Sequence, residues 1–259
     1  AMACGLPVIG TNWGAQLAFI QVRRHSNIGA MSKGLRFHEW RAGALHTAPA
    51  AEALATAKPR IEERGAYLIL RAPTVPELWE ALRKSLIGKR PLVLLPPATS
   101  TEEEILLRHL PPRPPSEAML ALFTSGSTGD PKAVFLSASS LLASSAQLKR
   151  AFPGSAVTAS LLPAWGMAGV VFHCLLPAAR ESGVLYSPEP FLEWSAQAGN
   201  LLRQLDVEFV TLNPFLLEML LRSGLDPAWR GSVVSLTAPL KPSQRNALFE
   251  LTGRHAREI

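Results

Sequence analysis

From Gly65 onward, short apolar runs alternate with capped amphipathic segments, and this alternation restricts the fold more than any other feature of the chain. The run AYLILR (66–71) has the length and composition of a buried strand. TVPELWEALRKSLIG follows it, with Thr74 and Glu77 spaced as a capping box and Pro76 in the first turn. Leu78, Trp79, Leu82 and Leu86 then share one helical face. PLVLLPP (91–97) and STEEEILLRHL repeat the pair, and strand–helix–strand–helix with short joins predicts a parallel sheet. Past a proline-rich joint at 111–115, AMLALF (118–123) and KAVFL (132–136) read as strands on either side of a Gly/Ser loop, and SSLLASSAQLKRAF as a helix starting at a serine cap. VEFVTL leads into NPFLLEMLLRSG, where Asn213 caps and Pro214 suits the first turn. SVVSLTAPL and KPSQRNALFELTG repeat the unit once more, without internal sequence repeats. The fold class expected is α/β, with layered, mostly parallel sheets flanked by helices.

The first 64 residues read differently. Residues 21–64 are basic, Gly- and Ala-rich and weakly periodic, which predicts a linker or poorly ordered segment making few contacts with the α/β core. Between positions 21 and 65, eight Lys/Arg against four Glu carry +4 of the chain's net +6. No aromatic platform or nucleic-acid-binding motif accompanies them, so a solvated basic segment is expected rather than a nucleic-acid partner. Cys4 and Cys174 are far apart and form no disulfide or metal-binding spacing, which fits a reducing, cytoplasmic setting. The apolar run SLLPAWGMAGVVFHCLLPAA (160–179) contains two prolines, two glycines and His173, and predicts a strand and turn feeding a helix rather than a membrane span.

The loop FTSGSTGDPKAV (123–134) carries the chemistry. Gly126 and Gly129 permit positive φ and let backbone N–H groups turn inward around an anion. Thr124, Ser125, Ser127 and Thr128 add hydroxyl donors, and Lys132 adds a point charge suited to phosphate. The spacing matches neither the Walker loop nor the dinucleotide fingerprint.

TSGSTGDPK resembles the phosphate-loop signature of the adenylate-forming enzymes, a family of acyl- and aryl-CoA synthetases, luciferases and peptide-synthetase adenylation domains. Further pieces are similar over about 65–259: LLPAWGMAGV at the place of an L-P-x-aromatic-His-x-x-G segment, the strand–helix unit VEFVTLNPFLLEMLL, and LTAPL at the place of a G-G-A-P-L turn. The look is closest to compact ligases of the o-succinylbenzoate–CoA type. The resemblance implies that Thr124, Ser125, Gly126, Ser127, Thr128, Gly129 and Lys132 hold the ATP phosphates, with Thr128 and Lys132 catalytic. It also implies that Ala238 and Pro239 flank the adenine, and that Trp165, Gly166, Met167 and Gly169 border the acyl pocket. ATP, Mg²⁺ and CoA are the implied cofactors and co-substrates, a small carboxylic acid the substrate, and no protein metal ligand is implied.

Gly166 stands where the family has histidine, Ala133 replaces a glycine, and Leu236 and Thr237 replace the paired glycines. His173 is expected to be a satisfied core histidine rather than a substitute. ELTGRHAREI resembles the approach to the family's Y-G-x-T-E motif, so 65–259 is expected to be a partial, inactive adenylation domain without the ribose-binding aspartate, hinge and small C-terminal domain. AMACGLPVIGTNWG resembles the nucleotide-sugar turn of retaining glycosyltransferases, which sets residues 1–20 apart as a fragment of another kind. The alternative functions are a glycosyltransferase fragment and a non-catalytic nucleotide-binding module.

Overall fold

The apolar runs pair into two sheets in the computed structural model, which describes residues 35–125 and 130–259. In chain order, β1 (Arg36–Arg41) and β2 (Ala44–Pro49) lead through α1 (Ala50–Thr56) to β3 (Glu62–Arg64), β4 (Tyr67–Arg71), α2 (Val75–Gly88) and β5 (Leu92–Leu95). Next come α3 (Ser100–Arg108), β6 (Ala118–Ser125), β7 (Pro131–Ser137), α4 (Ala138–Ala151) and β8 (Thr158–Ser160). The composite helix α5 starts as Met167–Gly169, passes through a π-helical stretch Val170–Leu175 and ends as Leu176–Arg180. The rest is β9 (Val184–Tyr186), α6 (Phe191–Gln204), β10 (Phe209–Leu212), α7 (Pro214–Ser223), β11 (Ser232–Ser235), α8 (Pro242–Thr252) and β12 (Arg257–Glu258).

Sheet A has the order β12-β11-β10-β8-β9-β1-β2, all parallel except the β1–β2 hairpin. Sheet B has the order β3-β4-β5-β6-β7, with parallel centre pairs and antiparallel edges. The layered α/β expectation holds, and 160–179 forms a turn and a helix as read, while the strand expected within it is the short β8, which ends at Ser160. Among the described residues no helix is long and apolar enough to cross a membrane.

Local signals account for the helix starts. Glu77 Oε2 accepts from the Thr74 N–H and hydroxyl, each at 2.9 Å, and Thr99 and Glu102 complete the same box at α3. Ser137 caps α4 and Asn213 caps α7, its Oδ1 accepting from Leu216 N–H at 2.8 Å. One apolar cluster joins Leu120 and Leu122 of β6, Leu78, Trp79 and Leu82 of α2, Val170, Cys174 and Leu175 of α5, and Phe37 and Tyr186 of sheet A. The helices α2 and α5 thus fill the space between the sheets, and Leu86 sits half-buried at that layer's margin.

Residues 35–64 depart from the linker reading. They supply three strands and a helix, and Phe37 is 2% exposed, in edge-to-face contact with Trp79 and Tyr186. The segment escaped sequence reading for two reasons. Its strands carry charges on their open positions, as in RFHEWR. Its hairpin also turns on Ala42 and Gly43, both at positive φ, where an Asn-Gly or Asp-Gly signal is usual. Buried His38 is met across the hairpin by the Thr47 hydroxyl at 3.0 Å. Residues 1–34, which include the glycosyltransferase-like turn and the start of the basic stretch, lie outside the described residues.

Replacing Phe37 by alanine removes a core ring, so urea unfolding should show a loss of about 3–5 kcal/mol. A change below about 0.5 kcal/mol would return 35–64 to a peripheral linker.

Candidate functional site

In an open parallel sheet, ligands bind outside the carboxyl ends of the strands where the strand order reverses. Here β8 connects through α5 to β9 on one side, whereas β10 lies on its other side and continues to β11. The reversal falls between β8 and β10. Three connections gather at that edge: the 161–166 turn after β8, Asn213 after β10, and the 236–240 turn after β11. Leu161 N–H donates to Thr211 O and Leu236 N–H to Leu212 O, both at 2.9 Å, which ties the turns to the strand between them. The far end of 236–240 is anchored where Leu240 N–H donates to Glu258 Oε2 at 3.0 Å. Arg245 grips the same carboxylate at 2.7 and 3.0 Å and, as the larger cause, lowers its pKa.

The predicted residues fall on this edge and on sheet B. Ala238 and Pro239 are exposed in the 236–240 turn. Thr237 beside them has φ +78°, a strained value for a β-branched residue. This is where the resemblance implies glycine. Trp165 is half-buried against the inter-sheet cluster, Gly166 is half-buried, and Met167 is 40% exposed at the start of α5. Gly169 is buried because the turn crosses directly over it: a Cβ there would collide with the Pro163 carbonyl and stand 2.7 Å from Ala164 Cα. At Gly166 a Cβ would meet nothing nearer than Pro163 O at 3.8 Å, so the site has room for a side chain it lacks.

Of the residues expected to hold phosphate, Thr124, Ser125 and Lys132 lie on the paired strands β6 and β7. Thr124 pairs with Lys132 and Ser125 with Pro131. Directly opposed residues share a face, and Thr124 and Lys132 are both exposed, on the face that Leu120 and Leu122 present to the inter-sheet cluster. Trp165 and Ala164 pack against that same cluster, so one apolar layer supports both the hairpin and the 161–166 turn. Among the described residues Lys132 has no carboxylate partner. Gly126, Ser127, Thr128 and Gly129 lie outside the described residues. Among the described residues no group of three or more His, Cys, Asp and Glu side chains is placed to hold a metal ion.

Sequence reading gave His173 no structural task beyond filling core. Its Nε2 donates to Leu162 O and its own carbonyl accepts from Trp79 Nε1, each at 2.9 Å. The π-helical stretch brings both contacts to one residue of α5. Nδ1 is buried with no partner among the described residues, and burial pushes the pKa down to about 4. The neutral, Nε2-protonated form is the one that fits.

The sequence profile of the AMP-binding enzyme family matches residues 14–257. No curated protein sequence matches the chain. Solved structures similar to it include McyG A-PCP complexed with phenylalanyl-adenylate, at 15% identity, TM-score 0.65, covering 95% of this chain and 56% of that one. An acyl-CoA synthetase from Brucella canis matches at 14% identity and TM-score 0.67, covering 93% and 56%. Apo MatB from Rhodopseudomonas palustris matches at 13% identity and TM-score 0.69, covering 93% and 58%. At such identities the likeness is one of fold, and the chain spans somewhat over half the length of each.

Two tests follow from the geometry. Thr237→Gly should raise stability by about 0.5–1 kcal/mol in urea by relieving the strained φ; a loss would mean that the turn is not strained. His173 has a folded pKa below its unfolded value near 6.5, so its contribution is full above pH 6.5 and falls as the unfolded chain takes up the proton. Between pH 7 and pH 5 the wild type should lose about 2 kcal/mol more than His173→Gln; equal losses would place the imidazole in solvent.

Proposed function

The chain belongs to the AMP-binding enzyme family, and we propose that it serves ATP-dependent ligation of a carboxylic acid through an acyl-adenylate. In that reaction a carboxylate oxygen attacks the ATP α-phosphorus, the bond to the β-phosphate breaks, and pyrophosphate leaves with the bonding electrons. Such transfer asks the protein mainly for positioning and for charge opposite the phosphates.

The observation that carries the reading is the pairing of β6 with β7, which sets Thr124 opposite Lys132, whose ammonium has no carboxylate partner among the described residues, on the strands that flank 126–129. In this reading Thr124, Ser125 and Lys132, with Gly126, Ser127, Thr128 and Gly129, hold the β- and γ-phosphates, and Mg²⁺ offsets their charge. Ala238 and Pro239 flank the adenine at the strand-order reversal. Trp165, Gly166 and Met167 border the acyl pocket, while Gly169 sets how closely that border sits on α5. CoA as acyl acceptor, as in an o-succinylbenzoate–CoA type ligase, and a cytoplasmic setting belong to the same reading. A non-catalytic nucleotide-binding module is the second reading, favoured by the hydrogen at Gly166 in place of an imidazole.

Isothermal titration with Mg·ATP tests the assignment. Lys132→Ala should weaken binding about tenfold while leaving the unfolding midpoint unchanged. Equal affinity in the variant would remove Lys132 from the site. Carboxylate-dependent pyrophosphate release supports the ligase, and ATP binding without it supports the module.

A further inference from the structure

The inter-sheet layer contains a concavity apart from the crevice at β8 and β10. It lies beside β1 and the carboxyl end of β9, the strand next to β8 on the side away from β10. Its volume is about 290 Å³, and its walls come from β1, β2, α1 with the residues just after it, and the first turn of α2. The floor is Phe37 and Tyr186, each 2% exposed and meeting edge to face with centroids 6.2 Å apart.

Charge around this space is unevenly engaged. Glu77 is occupied by the α2 capping box. Glu39 lies 3.8 Å from Arg41, and its charge is one of the causes that raise the pKa of the Tyr186 phenol, after burial. The nitrogen-bearing groups are freer. Among the described residues Lys58 and His46 have no hydrogen bond or ion pair, and the Arg41 side chain is 57% exposed with only that one distant carboxylate contact. Three nitrogen-bearing side chains thus line the same space as the aromatic floor, where one carboxylate, Glu77, is taken up by the capping box and the other, Glu39, stands near Arg41. An apolar concavity with a few convergent polar groups is the ordinary form of a small-ligand site. Its volume equals about ten water-sized volumes, enough for a substituted ring and too small for a nucleotide.

We propose that this cavity binds a compact organic carboxylate with an aromatic or apolar body, its ring on Phe37 and Tyr186 and its charge met by Lys58, Arg41 and His46. The site is independent of the nucleotide reading, since none of its lining residues belongs to the phosphate hairpin or to the turns at the crevice.

The test is titration of the full chain, carrying ¹³C-labelled alanine methyls, with benzoate, phenyl phosphate and benzyl alcohol. Ala48, Ala53 and Ala57 line the cavity and report on it directly. Benzoate should shift these methyls saturably in the millimolar range, about fivefold more tightly than benzyl alcohol. Lys58→Glu alters an exposed side chain and should weaken benzoate about tenfold while leaving benzyl alcohol unchanged. Mg·ATP at saturation should not alter benzoate affinity. Absence of saturable shifts at the three methyls, or equal benzoate affinity in Lys58→Glu, overturns the proposal. Tighter binding of phenyl phosphate reassigns the cavity to phosphate and overturns the carboxylate. Competition by ATP merges the cavity with the nucleotide crevice and overturns its independence.

Discussion

A single residue joins the helices of the two sheets. The indole N–H of Trp79 on α2 donates to the carbonyl of His173 on α5, and the imidazole of the same residue donates to Leu162 at the turn over the crevice. All of this is buried, so each donor and acceptor left unmatched would cost about 1–3 kcal/mol. Such contacts act as register marks. They place α5 along α2, and with it the 161–166 turn relative to sheet B. The π-helical stretch of α5 lies where this double duty falls, in keeping with the way such stretches re-aim a side chain and a carbonyl.

Around that junction the apolar layer does the bulk positioning. Leu120 and Leu122 anchor the base of the β6–β7 hairpin in the cluster against which Ala164 and Trp165 pack, so shared packing also holds the hairpin and the crevice together. The polar groups of the candidate site are correspondingly free to serve a ligand: Lys132 is exposed, and the 236–240 turn reaches out from β11 with only its end secured by Glu258. Thr237 keeps a backbone shape that glycine would adopt without strain, and Gly166 leaves open a space that a side chain would fill. Both features lie at the carboxyl edge, where local strain and missing side chains bear on binding rather than on the core.

Much of the fold was legible in order along the chain. The helix starts at Thr74 and Asn213 are written in residues that cap within a few positions, because capping is a local interaction, while the caps of α3 and α4 fall at Thr99 and Ser137, one and two residues ahead of the serines that open STEEEILLRHL and SSLLASSAQLKRAF. The central strands of sheet B, YLILR, LVLL and AMLALF, are apolar runs because both of their faces are covered, whereas β8 at the middle of sheet A is the short buried run Thr158–Ser160. The basic segment failed this kind of reading. RFHEWR pairs with VLY nearly 150 residues later, and its polar positions were taken as solvated when His38 is buried against Thr47 and Glu39 sits beside Tyr186.

What the sequence determined alone is therefore most of the elements from Gly65 on, though not β9 or α6, together with the capped starts at Thr74 and Asn213 and the phosphate-loop candidates Thr124 and Lys132. These depend on periodicity, caps and turn chemistry, which act over a few residues. Only the tertiary structure decided that 35–64 joins sheet A, that the strand order reverses between β8 and β10, and that His173 is a strut between helices. Those facts depend on contacts between residues far apart in the chain, and the burial that selects among such contacts exists only once both sheets have closed over the layer between them.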